Sequence, residues 1–204
     1  IQKIYIIIRL HIACFEEIVD ITSKVVSTGN TGKTIWDVGC GYGLLVNILS
    51  FIYKTNHIVG MDKDPLRIAL AKKTIHKREC VDFCNIDILD DSSIKNFKKP
   101  DCIILNDVLH HIEKSRQAKA IHNCVGSLSP GGTLIVKEMG GVPWWKLIVG
   151  YTHDIIFNLW VPQYRNSLEW SNMISQAGCE VKTYPIHNKL PYSNILIVAR
   201  KKYA

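Results

Sequence analysis

The sequence predicts one α/β domain with a mainly parallel sheet, and three observations carry this prediction. The chain has 204 residues, 47% hydrophobic and 21% charged, which suits a single sizeable core. Short apolar runs alternate with helical patterns along most of its length, and such alternation builds βαβ units with parallel strands. No linker, repeat or low-complexity segment divides the chain.

The first predicted element is an amphipathic helix within residues 1–27. It begins with the apolar run Ile4–Ile8, but Arg9 and Glu16 soon interrupt the pattern. No stretch therefore reaches the ~18–20 uncharged residues that a membrane-spanning helix needs. We expect residues 1–32 to form an N-terminal helical segment that covers the core or the active site, or lies on a membrane surface.

Five buried strands are predicted next, each a short apolar run between polar or turn residues: Thr34–Val38, His57–Met61, Asp82–Ile86, Asp101–Asn106 and Thr133–Glu138. Helices are predicted between them, at Leu44–Tyr53, Pro65–His76, Asp91–Phe97 and Ser115–Leu128. The last of these helices is followed by Ser-Pro-Gly-Gly, a stop signal that leads into a tight turn.

The alternation loosens after residue 140. An aromatic-rich insertion is predicted at about 140–166, followed by a helix over Ser167–Ala177. Two strands, Glu180–Tyr184 and Asn194–Arg200, close the chain. A short return of this kind predicts an antiparallel pair at one end of the parallel sheet.

Charge and cysteine content limit the classes of partner. Lys and Arg number 25 against 18 Asp and Glu, but the basic residues come as scattered pairs, so we expect no nucleic-acid partner. Seven cysteines lie at irregular intervals without a C-x-x-C motif. We therefore expect buried free thiols, no metal site, and a cytoplasmic location in the absence of a signal-peptide pattern.

The glycine-rich stretch after the first predicted strand indicates the cofactor. Gly39 and Gly41 allow a sharp turn and the close approach of a ligand, and Gly43 lets the helix begin near the strand. The spacing is G-x-G-x-G rather than the G-x-G-x-x-G of dinucleotide sites, and Asp37 comes two residues earlier. A carboxylate there repels a pyrophosphate but suits a cationic amino-acid group. This favours S-adenosylmethionine over NAD.

Two further acids follow later strands. Asp62 lies nineteen residues beyond Gly43 at the tip of the second strand, the spacing at which an acid accepts hydrogen bonds from ribose hydroxyls. Its alternative role is a helix cap, which Asp64 fills better, directly before Pro65. Asp87 ends the next apolar run, where it can reach the adenine amino group.

Five motifs in this order carry a family resemblance: WDVGCGYG, VGMDKDP, NIDILD, DCIILNDVLHHIE and LSPGGTLIVKE. Together they resemble the class I S-adenosylmethionine-dependent methyltransferases, most of all the branch with the ubiquinone and menaquinone biosynthesis enzymes. The resemblance covers Lys33–Glu138. It implies a methyltransferase domain over residues 33–204, with a Rossmann-like seven-stranded, mostly parallel sheet. Its last strand is antiparallel, and helices cover both faces.

The resemblance also implies roles for individual cofactor-binding residues. Gly43 belongs to the same loop as the residues implied to hold the methionine end: Asp37, Gly39, Cys40 and Gly41. Asp62 is implied to bind the ribose, and Lys63 to lie beside the adenine. Asp87 and Ile88 are implied to contact the adenine edge. Asn106 is implied to meet the methionine amino group through its backbone.

Histidines supply the candidate catalytic residues. Methyl transfer to a hydroxyl needs a base, whereas transfer to a thiol or to an acidic carbon depends less on a base. His110 and His111 follow the fourth predicted strand, on the edge that Glu138 also reaches; their alternative role is a bond to nearby backbone at a helix start. His153 lies in the aromatic insertion. His153 and His111 are the predicted catalytic residues.

The aromatic insertion also indicates the acceptor. Six aromatic residues crowd into 21 positions: Trp144, Trp145, Tyr151, Phe157, Trp160 and Tyr164. They predict either a packing lid or an apolar pocket with peripheral membrane contact, and hence a lipid, quinone-precursor or aromatic acceptor. An RNA methyltransferase and a non-catalytic cofactor-binding protein are the alternatives. The RNA methyltransferase lacks support because a base-flipping motif after the fourth strand contains proline, and Asn106-Asp107-Val108-Leu109 contains none. The sequence does not define the oligomeric state.

Overall fold

A computed structural model describes most of the chain in seven continuous ranges and six further positions. The ranges are 15–27, 32–54, 56–74, 80–94, 97–139, 161–186 and 193–203, and the positions are 145, 146, 148, 151, 152 and 155. Residues 1–14 of the predicted N-terminal segment lie outside them.

Seven strands form one sheet in the order β3-β2-β1-β4-β5-β7-β6. They are β1 (Thr34–Val38), β2 (His57–Asp62), β3 (Val81–Asn85), β4 (Cys102–Asn106), β5 (Thr133–Met139), β6 (Cys179–Ile186) and β7 (Asn194–Lys201). The first five strands pair in parallel, whereas β7 is antiparallel to both β5 and β6. The predicted fold class is confirmed, and the last strand inserts second from the edge.

Six helices are bounded in the described ranges: α1 (Phe15–Ser27), α2 (Leu44–Ile52), α3 (Pro65–Thr74), α4 (Asp91–Ile94), α5 (Lys114–Ser127) and α6 (Ser167–Gln176). A 3-10 turn, Leu109–His111, follows β4. Predicted and observed boundaries differ by one or two residues in most elements. The predicted helix Asp91–Phe97 is described as α4 over Asp91–Ile94, and residues 95 and 96 lie outside the described ranges.

Two hydrophobic clusters, one on each face of the sheet, form the core. Successive strand residues point to opposite faces, so β1 contributes Ile35 to one cluster and Trp36 to the other. The first cluster, which contains Ile35, includes side chains of α1, α2 and α3. The second cluster, which contains Trp36, includes side chains of α4, α5 and α6. Phe15 and Ile18 belong to the first, so the described part of the N-terminal segment packs on the core.

Within the described ranges, no helix combines the length and the apolar character needed to cross a membrane. The six cysteines of these ranges are free thiols. Cys102 and Cys124 are fully buried, and burial raises the pKa of both thiols to about 12. These two thiols therefore stay protonated at neutral pH.

Candidate cofactor and acceptor site

The glycine loop that follows β1 is held against the end of β2. The backbone N–H groups of Gly39 and Cys40 both donate to the carbonyl of Met61, at 2.7 and 2.9 Å. Gly41 donates its N–H to Oδ2 of Asp62 at 2.9 Å. These three hydrogen bonds within the protein fix the loop beside the predicted ribose-binding acid.

Positive backbone φ values and close contacts explain the glycines. Gly39, Gly41 and Gly43 have φ of 77°, 55° and 76°, a region that side chains disfavour. A Cβ on Gly39 would overlap the Val108 side chain, and one on Gly43 would lie 2.6 Å from the Phe83 ring. Gly41 has nothing within 4 Å of that position. Gly39 and Gly43 are thus required for packing, while Gly41 leaves bare backbone open to a ligand.

Replacing Gly43 with alanine is expected to lower the free energy of unfolding by about 2–4 kcal/mol, because positive φ and crowding against Phe83 both penalise a side chain. Gly41→Ala meets only the φ penalty and should lose about 1–2 kcal/mol. Gly126→Ala, on the exposed face of α5, should gain about 0.5–1 kcal/mol. Urea denaturation measures all three. Equal losses for Gly41 and Gly43 would show that Phe83 does not constrain the loop.

Asp62 is buried at the tip of β2, with 6% of its surface exposed. Its Oδ1 accepts from the N–H of Asp64 at 2.9 Å, and its Oδ2 accepts from Gly41. The cap of α3 is Asp64, whose Oδ1 accepts from the N–H of Leu66 at 2.8 Å. The prediction that Asp64 rather than Asp62 caps this helix is therefore confirmed. A carboxylate oxygen can accept more than one hydrogen bond, so both oxygens retain capacity for ribose hydroxyls.

The end of β3 is joined to the same acid. Ile86 and Asn85 donate to the carbonyl of Asp62, at 3.0 and 2.9 Å. Asp87 follows half-buried, with Oδ1 accepting from the N–H of Leu89. Ile88 is buried. The fold thus brings Asp62, Asp87 and Ile88 to one edge of the sheet, as their proposed roles around an adenosine require.

Asp37 and Asn106 lie on the adjacent strands β1 and β4, on the face covered by α1, α2 and α3. They are 3% and 6% exposed. Oδ1 of Asn106 has no hydrogen-bond partner among the described residues. A buried acceptor without a donor, on the strand next to one that carries a buried carboxylate, fits a cationic amino group. The residues present therefore suit the methionine end of S-adenosylmethionine.

His110 and Glu138 form the second part of the site, at the ends of β4 and β5. His110 Nδ1 lies 2.6 Å from Oε2 of Glu138, and both side chains are buried. Oε1 of Glu138 accepts from the N–H groups of Val108 and Leu109, at 3.0 and 2.6 Å. One carboxylate therefore fixes both the imidazole and the loop that carries it. The sequence placed both residues on this edge but did not predict their contact.

A buried ion pair lies at the ends of the same two strands. Lys137 Nζ lies 2.7 Å from Oδ1 of Asp107, and Lys137 is 1% exposed. Asp107 has a φ of 57°, the positive value rare for residues other than glycine. The Asp107 N–H also donates to the Lys137 carbonyl at 3.0 Å. This pair was not predicted from the sequence, although a lysine within a buried strand is the signal that predicts a buried partner.

Asp107, His110 and Glu138 together place three metal-ligand atoms within 4.8 Å of one another. Each already has a protein partner: Lys137 binds Asp107, and Glu138 binds His110 as well as two backbone N–H groups. An ammonium within this group opposes a second cation. The cluster is accounted for by hydrogen bonds between protein groups.

Aromatic rings lie beside the His110 imidazole. Its centroid is 4.2 Å from that of His111 and 5.1 Å from that of Tyr164, and Tyr164 meets Tyr151 edge-on at 4.9 Å. The N–H of Gln163 donates to the His110 carbonyl at 2.8 Å. The described end of the aromatic insertion thus packs over the histidine turn.

Gln117 of α5 connects that turn to the insertion. Its Nε2 donates to the carbonyl of Leu109 at 3.0 Å and to that of Gln163 at 2.8 Å. Its Oε1 accepts from Nε of Arg165 at 2.6 Å. Gln117 is fully buried, so it holds Tyr164 beside His110.

The other predicted site residues fall into two groups. His111 is half-buried beside His110, and Lys63 is exposed at the start of the turn into α3. The remaining residues lie outside the described ranges: Trp144, His153, Phe157 and Trp160. The catalytic role of His153 stays a prediction.

Comparisons with known proteins agree with this geometry. A family model described as a methyltransferase domain matches residues 36–134. Carboxy-S-adenosyl-L-methionine synthase 1 of Yersinia pseudotuberculosis is 30% identical over 185 residues, covering 87% of this chain and 71% of that protein. A putative methyltransferase, 235L of Invertebrate iridescent virus 6, is 25% identical over 172 residues, covering 80% of this chain and 61% of the viral protein.

A solved structure shows the same fold. An O-methyltransferase family protein from Burkholderia thailandensis superimposes with a TM-score of 0.76 at 20% identity, covering 93% of this chain and 56% of that one. The chain thus spans less than two thirds of the viral and Burkholderia proteins. Fold, site and relatives together define an S-adenosylmethionine-dependent methyltransferase domain. The chain belongs to this family, and S-adenosylmethionine is its cofactor.

Proposed function

We propose that the protein transfers a methyl group from S-adenosylmethionine to a hydroxyl of a small hydrophobic acceptor. The acceptor class is a lipid, a quinone precursor or an aromatic metabolite, as in the ubiquinone and menaquinone branch that the motifs resemble. The observation that carries the proposal is the buried bond of 2.6 Å between His110 and Glu138.

The His110–Glu138 pair supports a hydroxyl acceptor because a hydroxyl needs a base. Hydrogen bonding of Nδ1 to a carboxylate fixes the imidazole so that Nε2 is its basic atom. Glu138 also stabilises the imidazolium that forms when the proton arrives. We give this role to His110 rather than the adjacent His111, because the carboxylate of Glu138 bonds the His110 ring directly.

The reaction is an in-line displacement. S-adenosylmethionine supplies an electrophilic methyl group and leaves as S-adenosylhomocysteine. The new bond joins the acceptor oxygen to the methyl carbon, the carbon–sulfur bond breaks with its electron pair going to sulfur, and His110 Nε2 takes the hydroxyl proton. Tyr164 and Gln117 hold the site closed beside His110, which limits water.

The hydrophobic character of the acceptor is supported by the aromatic rings beside His110 and by the apolar composition of residues 140–167. That stretch contains three charged residues in 28 positions: Lys146, Asp154 and Arg165. An RNA acceptor is disfavoured by the scattered basic residues and the loop after β4 without proline.

A second candidate is the formation of a carboxylated S-adenosylmethionine, favoured by the 30% identity to the Yersinia synthase over 87% of this chain. Mass spectrometry of the cofactor after turnover distinguishes the two. Methyl transfer yields S-adenosylhomocysteine, whereas the synthase reaction yields a cofactor heavier than the substrate.

The proposal is tested with methyl-labelled S-adenosylmethionine and fractionated cell extract. We expect label in the organic phase, and far less of it when the Asp62→Ala variant replaces the wild type. Label only in RNA or in aqueous small molecules other than the cofactor would leave methyl transfer standing and overturn the hydrophobic acceptor. Cofactor binding without label in any fraction would favour the non-catalytic alternative.

A further inference from the structure

A set of exposed apolar side chains lies on the aromatic insertion. Six of its residues between 145 and 155 are described, and all six are helical. Four of them are large hydrophobic residues that are 36–56% exposed: Trp145, Ile148, Tyr151 and Ile155. We call these four residues the apolar stripe.

The spacing of the apolar stripe is that of one helix face. Its four members are helical and follow one another at intervals of three, three and four residues, the intervals at which side chains share a helix face. The outward face of a helix is ordinarily polar, and an exposed apolar patch marks an interaction surface. The stripe therefore predicts a partner.

The stripe adjoins the proposed acceptor side of the site. The Tyr151 ring lies 4.9 Å from Tyr164, whose ring lies 5.1 Å from that of His110. A partner that covers the stripe would thus meet the protein next to the candidate base.

The chemistry of the stripe favours a lipid surface. Trp and Tyr are the residues that concentrate at the boundary between lipid and water. Lys146 Nζ lies 5.7 Å from the Trp145 ring centroid, so a cation accompanies the most amphipathic member of the stripe. The whole chain carries a net charge of +7, which complements anionic headgroups.

We propose that the apolar stripe docks onto the surface of an anionic lipid bilayer, with Lys146 at the level of the headgroups. Apolar burial supplies the anchoring and charge supplies the attraction. Docking does not depend on the acceptor. The further claim, that docking delivers the acceptor to His110, rests on the proposed function.

The test is flotation of the full chain with vesicles of phosphatidylcholine, with and without phosphatidylglycerol. We expect binding to the anionic vesicles, weaker binding to the neutral ones, and weakening by salt. The double variant Ile148→Ser/Ile155→Ser should bind the anionic vesicles with an affinity at least about tenfold lower, because two half-exposed apolar side chains are lost. The matched control, Phe51→Ser/Ile52→Ser on α2, removes two side chains that are 66% and 49% exposed and should bind like the wild type.

Three results would overturn the proposal: no flotation with either vesicle, equal loss in both double variants, or flotation that the stripe variant retains. Concentration-dependent self-association of the wild type that the stripe variant loses, in sedimentation without vesicles, would assign the stripe to a second copy of the chain instead. S-adenosylhomocysteine binding by each variant is measured alongside. A failure of docking is thereby separated from a failure of the cofactor site.

Discussion

Replacing Asp62 with alanine is expected to weaken S-adenosylhomocysteine binding about a hundredfold or more. Two hydrogen bonds from ribose hydroxyls to a carboxylate contribute about 1.5–3 kcal/mol each, and about 1.4 kcal/mol corresponds to a factor of ten. The variant also loses the 2.9 Å bond that holds Gly41, so the glycine loop is freed at the same time. Isothermal titration calorimetry measures the affinity.

Asp64→Ala is the matched control, two residues further along the same turn. It removes the bond to the Leu66 N–H at the start of α3 and should lower stability by about 0.5–2 kcal/mol. Its cofactor affinity should remain that of the wild type. If the two variants bound equally well, Asp62 would not be the ribose ligand.

Replacing His110 with alanine is expected to reduce kcat by about 10²–10⁴-fold, the usual contribution of a general base. S-adenosylhomocysteine affinity should stay unchanged, since His110 is assigned to the acceptor rather than to the cofactor. Single-turnover kinetics with the acceptor identified from the extract experiment provide the measurement.

Glu138→Gln tests the positioning of that base. The amide keeps the shape of the carboxylate but can place an N–H opposite Nδ1, which moves the imidazole proton to Nε2 and removes the basic atom. We expect a loss of kcat comparable to that of His110→Ala and a changed pH–rate profile. His111→Ala and His153→Ala are the comparisons. A larger loss in either of them than in His110→Ala would move the catalytic role to that residue.

The sheet could be predicted because its strands are short apolar runs with turn residues at both ends. Thr34–Val38 was predicted at its observed boundaries, since Thr31, Gly32 and the glycine loop define both ends. The start of the fourth helix could also be predicted, because Asp90, directly before it, accepts hydrogen bonds from the Ser92 N–H and the Ser93 hydroxyl.

The contacts of the acceptor side could not be predicted. Glu138 and His110 are 28 residues apart and meet because β5 lies next to β4 in parallel register. Apolar patterning indicates that both strands exist but not which neighbours they have. Lys137 illustrates the same limit, because its partner Asp107 lies in a turn with positive φ that no local motif specifies.

The most direct test of the cofactor assignment is calorimetric titration of the wild-type protein with S-adenosylhomocysteine and, separately, with NAD. We expect one binding site for S-adenosylhomocysteine and no heat of binding for NAD. Binding of NAD, or of neither ligand, would contradict the assignment of the glycine loop, Asp37 and Asp62 to S-adenosylmethionine.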